Sequence, residues 1–446
     1  MGLRKILRIS VMSGVLGQIF STLSGSGSAF LTRFAIMLNA TPLHFAILSA
    51  ISQVSQVFQP IGSLITRRRT KRKSVVLTLQ FIGCGIALTY GVLPFIFPPE
   101  NAIRIFLLLF FVSIALLSPA SNVWIGWISD VVPLRVRGSF FSALYQYGML
   151  TAVGVSYGFS FFIDRFSSEG GKDYHSQAST FFKVENLPLA FAIMFVAAVV
   201  TAFSGLGVLA RLPEKKKKIE EESTVGMFFL PMKDNNFRRF LLYSCWWTLA
   251  VGIGAPFWQP FMLQKLHMTL FEVQIYGSIN MVASILVFRF WGRLIDAYGN
   301  RTAMRLVILL GGFNPMVWLF VTPHNYPVLY LEAITSGVMW AGAGLVATNF
   351  VLSIAPEDRK QLYSGVSGAF SGLAMMTTML GSGVFLPQNL SIGNISLEPE
   401  QVLFGLTGIA RWSAQIPLSS IREPKAKTVR EAIAFFIREI KSRITK

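Results

Sequence analysis

The sequence predicts an all-α integral membrane protein, with twelve transmembrane helices arranged as two pseudo-symmetric six-helix bundles. Three observations lead to this fold class. Charged side chains make up 14% of the 446 residues and hydrophobic ones 53%, with a mean hydropathy of +0.55, whereas soluble domains carry about 25% charged residues. The apolar residues are gathered into long runs, and two polar loops recur half a chain apart. This composition excludes an ordinary soluble enzyme and a disordered chain.

The apolar runs have the length that a membrane span requires. About 20 apolar residues are needed for a helix to cross about 30 Å of hydrocarbon. The runs lack sustained alternation of polar and apolar residues, which disfavours spanning β-strands. The predicted spans are residues 9–32, 43–66, 74–97, 102–127, 138–163, 187–210, 237–263, 271–294, 302–321, 326–353, 361–387 and 401–418.

The basic residues predict the orientation, because cytoplasmic loops are enriched in Lys and Arg. With both termini in the cytoplasm, most of the 40 Lys and Arg residues fall on that side, which explains the net charge of +19. Arg289 and Arg411 lie within spans, toward their cytoplasmic ends, where a long side chain can reach the headgroups. We therefore expect a multi-pass protein of the plasma (inner) membrane. Because the basic residues form no single soluble face, no nucleic-acid partner is predicted.

A charge-dense stretch near the middle of the chain divides the spans six and six. It contains four consecutive lysines, residues 215–218, followed by three glutamates, residues 220–222. The predicted domains are an N-terminal six-helix bundle over 1–210, a cytoplasmic linker over 211–236, a C-terminal six-helix bundle over 237–418 and a cytoplasmic tail over 419–446.

The tail has the pattern of an amphipathic helix. Apolar residues recur at helical spacing from Val429 to Ile444, and basic residues occupy much of the opposite face. A helix of this kind lies on the inner leaflet of the membrane or packs against the bundle.

Two loops that occupy equivalent places in the two halves resemble each other. The loop after the eighth span contains Gly292, Leu294, Asp296, Gly299 and Arg301. Its counterpart after the second span has the matching residues Gly62, Leu64, Arg67 and Lys71, with Thr66 in place of the acid. A second echo places Asp130, Arg135 and Arg137 after the fourth span, opposite residues 356–360 after the tenth. Internal duplication of six-helix units is typical of secondary transporters.

At these loops the sequence resembles the major facilitator superfamily, in a bacterial twelve-helix form. The family's hallmark is a loop of the form Gly-x-Leu-x-Asp-Arg-x-Gly-Arg-Arg, which the second-half copy follows closely. The resemblance implies two bundles that rock about a central substrate site. It also implies that the loop residues stabilise the outward-open state on the cytoplasmic side. Such motifs indicate the family and leave the substrate undefined.

The resemblance makes these loop residues candidates for a cytoplasmic gate. We expect Asp296 to pair with Arg301, and Asp130 to pair with Arg135 or Arg137. The alternative is ordinary positively charged flanking sequence, and Thr66 leaves open whether the first half has the family's ionic lock. The gate candidates are Gly62, Arg67, Asp130, Arg135, Arg137, Gly292, Asp296, Gly299 and Arg301.

Glu332 is the acidic residue that the sequence places clearly within hydrocarbon depth, about six residues into the tenth span. Burial favours the neutral form of a carboxyl group, so such a residue can take up and release a proton during transport. Two roles remain open for Glu332. It is either the proton-coupling residue or a structural partner of a polar group on a neighbouring helix.

Amides and aromatic residues within the spans are candidates for the substrate cavity, because a few polar groups among aromatic side chains make an amphipathic site. Packing or interfacial anchoring is the alternative for each of them. The candidates are Gln18, Gln53, Gln56, Asn122, Trp124, Gln146, Trp246, Trp247, Gln259, Asn280 and Trp340.

Secondary active transport of a small organic solute by alternating access is the function that these features predict, with protons as one possible coupling ion. No catalytic constellation and no phosphate-binding loop indicates an enzyme. The four histidines are scattered singly, so neither a metal site nor a cofactor is predicted. We expect a monomer whose partners are its solute and the lipid bilayer. The alternative is a transporter-like sensor or scaffold that binds a ligand without transporting it.

Overall fold

The computed structural model describes residues 2–67, 71–166, 182–214, 230–392, 395–423 and 431. Within these ranges the chain is almost entirely helical, which confirms the predicted fold class. The predicted tail helix lies almost wholly outside the described residues. The helices are α1 (Leu3–Ser24), α2 (Ala29–Met37), α3 (Pro42–Arg67), α4 (Lys73–Gly85), α5 (Ala87–Ile96), α6 (Pro99–Val131), α7 (Leu134–Asp164), α8 (Leu187–Leu209), α9 (Asn235–Gly254), α10 (Trp258–Pro260), α11 (Leu270–Tyr298), α12 (Asn300–Val317), α13 (Val328–Ile354), α14 (Lys360–Val384), α15 (Pro399–Ser413) and α16 (Gln415–Ser419).

Each predicted span contains at least one of these helices, and some spans contain two. The first span is divided into α1 and α2 by a turn in which Gly27 has φ of +79°, a conformation that glycine adopts without steric cost. The seventh span ends in a π-helical turn, Phe261–Lys265. In the described residues, 8 helical segments are long and apolar enough to cross a membrane. The predicted count of twelve spans stays a prediction for α3, α7, α14 and α15–α16.

A short β-hairpin follows α14 and has no counterpart in the sequence-based prediction. Strand β1 (Leu390–Ile392) pairs antiparallel with β2 (Ile395–Leu397), with Ser391 opposite Ser396. Each strand has only three residues, too few to give a detectable periodicity.

The chain forms two compact units. Unit 1 comprises Met1–Glu222 and Pro256–Gln274, and unit 2 comprises Ser223–Ala255 and Ile275–Lys446. The segment Pro256–Gln274 thus associates with the first half of the sequence, whereas the predicted domains assigned it to the C-terminal bundle.

Aromatic rings fill the core of unit 1. The ring of Phe34 lies 5.1 Å from that of Phe106, 5.3 Å from that of Phe191 and 5.1 Å from that of Phe195, each in an edge-to-face arrangement. In unit 2 the fully buried Trp291 donates its indole N–H to the carbonyl oxygen of Val338 at 2.9 Å. Large buried rings need their polar edge satisfied, and this bond joins α11 to α13.

The two motif glycines have different surroundings. A Cβ atom at Gly62 of α3 would collide with the backbone carbonyl of Pro119 on α6. A Cβ atom at Gly292 of α11 would meet no atom of the described residues within 4 Å. Gly62 therefore permits close approach of two helix backbones, which is how helices pack in lipid, whereas Gly292 has no such packing role.

We predict that Gly62→Ala destabilises the protein by about 1–3 kcal/mol, because the extra methyl group overpacks a contact with backbone. Gly292→Ala is the matched control and should be neutral or slightly stabilising, since alanine favours a helix over glycine. Thermal unfolding of the purified variants in detergent measures both effects. Equal melting temperatures for the two variants would show that the close contact between Gly62 and Pro119 does not require glycine.

Candidate functional site

Unit 1 contains a cavity of about 820 Å³ between α1, α3, α4, α6, α7 and α8. Cavities of about 300–1,000 Å³ accommodate small-molecule ligands. Many of the residues that line this cavity carry a hydroxyl group, a side-chain amide or an aromatic ring. These residues are Ser13, Gln18, Phe20, Ser21, Ser26, Ser55, Gln80, Ser118, Ser121, Trp124, Phe141 and Tyr145.

The cavity-facing side of α1 carries small residues because this helix packs closely on two neighbours. A Cβ atom at Gly14 would collide with the side chain of Leu144 on α7. Gly205 of α8 lies so close to α1 that its Cβ atom would be 3.2 Å from the carbonyl oxygen of Ser13. Ser13, Gly17 and Ser21 follow one another at intervals of four and therefore share a face of the helix.

Several polar groups of the cavity are already engaged within their own helices. The Ser118 hydroxyl donates to the carbonyl oxygen of Ile114 at 2.7 Å, and that of Ser55 donates to the carbonyl oxygen of Ser52 at 2.9 Å. The Gln18 amide nitrogen lies 3.4 Å from the Thr22 hydroxyl, which leaves the Gln18 side-chain oxygen available. These bonds reduce the number of groups that can bind a solute.

A second set of polar groups is available to a ligand. In the part of the chain that the structure describes, no hydrogen bond is made by the side chains of Ser13, Ser21, Ser26, Gln80 and Ser121. None of the described residues that line the cavity carries a charge. The cavity therefore offers neutral donors and acceptors beside aromatic surface.

Of the predicted cavity residues, the structure places Gln18 and Trp124 in this cavity. Gln53 and Gln56 lie outside it on α3, where the Gln56 amide nitrogen donates to the Gln53 side-chain oxygen at 3.1 Å. Asn122 and Gln146 are not among the lining residues, although their neighbours Ser121 and Tyr145 are. The amide pattern thus indicated helices that border the cavity more often than residues that line it.

Gln259 is held elsewhere in unit 1. Its side-chain oxygen accepts a hydrogen bond from the Thr32 hydroxyl at 2.7 Å, and its amide nitrogen donates to the carbonyl oxygen of Gly27 at 3.0 Å. These bonds attach the Pro256–Gln274 segment to α2 and to the turn before it.

The other candidate residues lie in unit 2. The Trp246 indole N–H donates to the Ser413 hydroxyl at 2.9 Å. Asn280 lies where α11 crosses α13, at a point where a Cβ atom on Gly337 would collide with the Asn280 carbonyl. Trp247, which is buried, and Trp340, which is 41% exposed, both face Arg411 and belong to a different cluster.

Arg411 is buried, and the prediction that its side chain reaches the headgroups is wrong. It is only 3% exposed, and its Nη1 donates to the carbonyl oxygen of Gly311 at 3.0 Å. The guanidinium carbon lies 5.9 Å from the Trp247 ring centre and 5.6 Å from that of Trp340. The guanidinium therefore contacts two aromatic rings and a carbonyl instead of the lipid headgroups that we expected from the sequence. It does so because α15 directs the side chain of Arg411 toward α12.

Glu332 is buried in the same unit, at 5% exposure. Its Oε2 accepts a hydrogen bond from the Tyr276 hydroxyl at 2.8 Å. A buried acid needs such partners because an isolated charge in the interior is costly. We name Glu332, Tyr276, Arg411, Trp247 and Trp340 the unit 2 cluster.

Two glutamates hold equivalent helix ends in the two units, and sequence reasoning missed both. In unit 1 the Glu214 carboxylate accepts hydrogen bonds from the backbone N–H groups of Arg72 and Lys73, the latter at 2.7 Å, at the start of α4. In unit 2 the Glu423 carboxylate accepts from the backbone N–H groups of Asn300 and Arg301, at 2.9 and 2.6 Å, at the start of α12. A carboxylate at a helix N-terminus satisfies N–H groups that have no partner within the helix.

The expected gate pairs are not the pairs that the structure contains. Asp130 forms an ion pair with Arg72 at 2.9 Å, in place of Arg135 or Arg137, because Arg72 lies at the start of α4 beside the end of α6. Nη2 of Arg137 donates to the carbonyl oxygen of Ser129 at 2.6 Å, and Arg135 is exposed.

Arg301 likewise has other partners than the one expected. Its Nη1 donates to the carbonyl oxygen of Ile421 at 3.0 Å, while Asp296 is exposed and forms no ion pair within the described ranges. Gly299 joins α11 to α12 with φ of +83°, which explains the glycine at this motif position. The side chain of Arg67 lies outside the described part of the structure.

The Major Facilitator Superfamily model matches residues 38–379 of the chain. The quinolone resistance protein NorA of Staphylococcus aureus is 24% identical over 199 residues, which cover 43% of this chain and 47% of the relative. The chain thus spans about half the length of the curated relatives it matches.

Two solved structures show the same fold. A variant of the nucleoside transporter NupG has a TM-score of 0.67 at 14% identity, covering 94% of this chain and 100% of that one. The D-xylose-proton symporter has a TM-score of 0.66 at 15% identity, covering 96% of this chain and 100% of that one. At these identities the likeness concerns the fold alone.

We predict that Glu423→Ala destabilises the protein by about 1–2 kcal/mol, because two N–H groups at the start of α12 lose their acceptor. Glu357→Ala is the control, since that carboxylate pairs with Lys360 at the surface, and a surface pair contributes little. Thermal unfolding compares the two variants with the parent. A Glu423→Ala protein as stable as the Glu357→Ala protein would count against the capping role.

Proposed function

The chain belongs to the Major Facilitator Superfamily, and we propose that it carries a small organic solute across the membrane by secondary transport with alternating access. Membership of the family supports membrane transport in general. What we propose beyond family membership is the kind of solute, the coupling to an ion and the alternating-access mechanism. We also propose that the protein acts as a monomer in the plasma membrane, with both termini in the cytoplasm.

The observation that carries this proposal is the cavity of unit 1. Its volume of about 820 Å³ suits a small organic molecule, and at least five of its polar side chains are free of hydrogen bonds in the described residues. These side chains are exposed or half-buried, so a solute that enters the cavity can form hydrogen bonds with them. We propose transport rather than an enzymatic activity, because the family to which the chain belongs is one of transporters.

We further propose Glu332 as the site of proton coupling. The unit 2 cluster contains one acid, Glu332, and one base, Arg411, both of which are buried. Protonation of Glu332 removes one of the two opposite charges of the cluster. Such a change of charge balance can bias a protein between two conformations. The hydrogen bond from Tyr276 also supports the structural alternative for Glu332.

A second candidate function is the export of drug-like aromatic compounds. The match to the quinolone resistance protein NorA favours it, although less than half of this chain takes part in that match. The cavity of unit 1 has aromatic surface but no acidic side chain among its described lining residues, which does not favour cationic drugs.

Counterflow in reconstituted liposomes tests transport itself. We predict that any solute that raises the melting temperature of the purified protein also exchanges across liposomes that contain it, with no exchange in protein-free liposomes. Filling the cavity by Ser121→Trp should abolish both effects. A solute that binds without counterflow would indicate a sensor or scaffold.

Glu332→Gln tests the coupling. We predict that this variant loses accumulation driven by a pH gradient, because the amide cannot take up a proton, yet retains counterflow. Tyr276→Phe is the control, since it removes the hydrogen bond to Glu332 and keeps the carboxyl group. If Glu332→Gln retains pH-driven accumulation, the proton role is excluded. If both variants lose counterflow and stability together, the role is structural.

A further inference from the structure

We propose that unit 2 contains an internal water-binding site between α12, α13 and α15, in which Asn314, Thr407 and Arg411 hold the water. The site lies between the levels of the buried acid and the buried base of this unit. A site of this kind is a property of the helix bundle and does not depend on the solute or on transport.

Three buried side chains of unit 2 have polar atoms without a hydrogen-bond partner among the described residues. Asn314 is 3% exposed, and neither its side-chain oxygen nor its nitrogen is paired. The hydroxyl group of Thr407, at 0% exposure, and Nε of the buried Arg411 are likewise unpaired. An unpaired polar atom is costly to bury, so such atoms are normally bonded to protein or to ordered water.

Two contacts fix how α12 and α15 pack on each other. The ring of Phe404 lies edge-to-face on that of Trp318, directly after α12, with ring centres 5.6 Å apart. Nη1 of Arg411 donates to the carbonyl oxygen of Gly311 at 3.0 Å. Residue numbers therefore rise along α15 as they fall along α12, and the two helices run antiparallel.

This register places Asn314 and Thr407 opposite each other. Thr407 lies three residues from one contact on α15 and four from the other, and Asn314 has the same spacing on α12. Residues at intervals of three and four share a helix face. The amide and the hydroxyl group therefore face each other between the two contacts, in the protein interior.

Helix α13 places a third polar residue at the same level. A Cβ atom on Gly311 would lie 3.6 Å from the side chain of Met339, and one on Gly342 would lie 2.8 Å from that of Val307. Helix α13 thus also runs antiparallel to α12. Ser336, three residues before Met339, is buried and lies level with the unpaired amide and hydroxyl group.

The site lies between the levels of the two buried charges. The ring of Tyr276 is 6.1 Å from that of Trp318, and its hydroxyl donates to Glu332 at 2.8 Å. Glu332 is therefore at the Trp318 end of the site, and Arg411 is at the other end. Water bound between these ends extends hydrogen bonding from the acid toward the base.

Water suits these groups better than an ion does. The amide of Asn314 and the hydroxyl of Thr407 each donate and accept hydrogen bonds, whereas Nε of Arg411 only donates. The guanidinium charge disfavours a cation, and an anion has no hydrogen to donate to the Asn314 oxygen. Buried water typically makes about three hydrogen bonds to polar groups that lack other partners, which matches the three residues of this site.

Thermal unfolding in detergent tests whether the two facing residues hold the same water. Asn314→Leu and Thr407→Val should each lower the melting temperature by about 2–4 °C. Because both substitutions remove bonds to one water, the double variant should lose less than the sum of the two. Thr248→Val is the control, since that hydroxyl donates to the carbonyl oxygen of Ser244 in its own helix at 3.0 Å. Its effect should add to that of Asn314→Leu.

Radiolytic footprinting of the parent protein detects the water directly. Hydroxyl radicals generated by X-rays oxidise side chains that lie beside internal water as well as those exposed to solvent. Trp318 is one turn from Asn314 and is as deeply buried as Trp127 of unit 1, which is the control. We expect Trp318 to be oxidised several times faster than Trp127, and the double variant to remove this difference.

Each of four results would overturn the proposal. They are equal oxidation of the two tryptophans, strict additivity of Asn314→Leu and Thr407→Val, a higher melting temperature in either single variant, and a melting temperature that changes when gluconate replaces chloride at equal ionic strength. A higher melting temperature means that the deleted group had no partner, and a chloride effect identifies an anion as the occupant. If the variants do not fold, the comparison of the two tryptophans in the parent protein decides alone.

Discussion

Close approach of helix backbones is the constraint on which the structure depends. Lipid is as apolar as the surface of a helix, so helices gain little from mere hydrophobic contact and associate by tight packing. Gly62 against Pro119, and Gly337 against Asn280, are contacts at which any side chain would collide with backbone. Close packing also occurs beside the cavity, where a Cβ atom on Gly205 of α8 would lie 3.2 Å from the Ser13 carbonyl oxygen of α1.

Tight packing also determines where polar groups can lie. In the membrane interior each polar group needs a protein partner or a cavity. Arg411 has a carbonyl and two aromatic rings, and Glu332 has the Tyr276 hydroxyl. The hydroxyl groups of unit 1 instead face a cavity. Unit 2 thus contains a buried acid and a buried base, whereas the polar side chains of the unit 1 cavity are neutral.

The sequence predicted the helices well and the site less completely, for a physical reason. A membrane span is a local property of about 20 residues, so α6 and α13 could be located from hydropathy alone. The partners of Asp130, Arg301 and Arg411 are distant in the chain, and no local pattern identifies them. Gln80 was missed because one amide in an apolar run has no periodic neighbour. One feature of the sequence could have indicated that Glu214 and Glu423 have the same role, because each follows the sixth span of its half by a few residues.

The burial of Arg411 has a consequence for how the chain is assembled in the membrane. Arg411 lies in the last turn of α15, and an arginine in an isolated membrane helix costs up to about 2.5–3.5 kcal/mol on insertion, the value at the helix centre. With 15 residues, α15 is also shorter than the helices that have the length of a membrane span. The groups that surround this arginine belong to α9, α12 and α13, which precede α15 in the chain. During synthesis α9, α12 and α13 enter the bilayer before α15. Insertion of α15 into the membrane therefore depends on helices that are already in place. A destabilising substitution in α12 should then appear as failed insertion of α15, which is synthesised later.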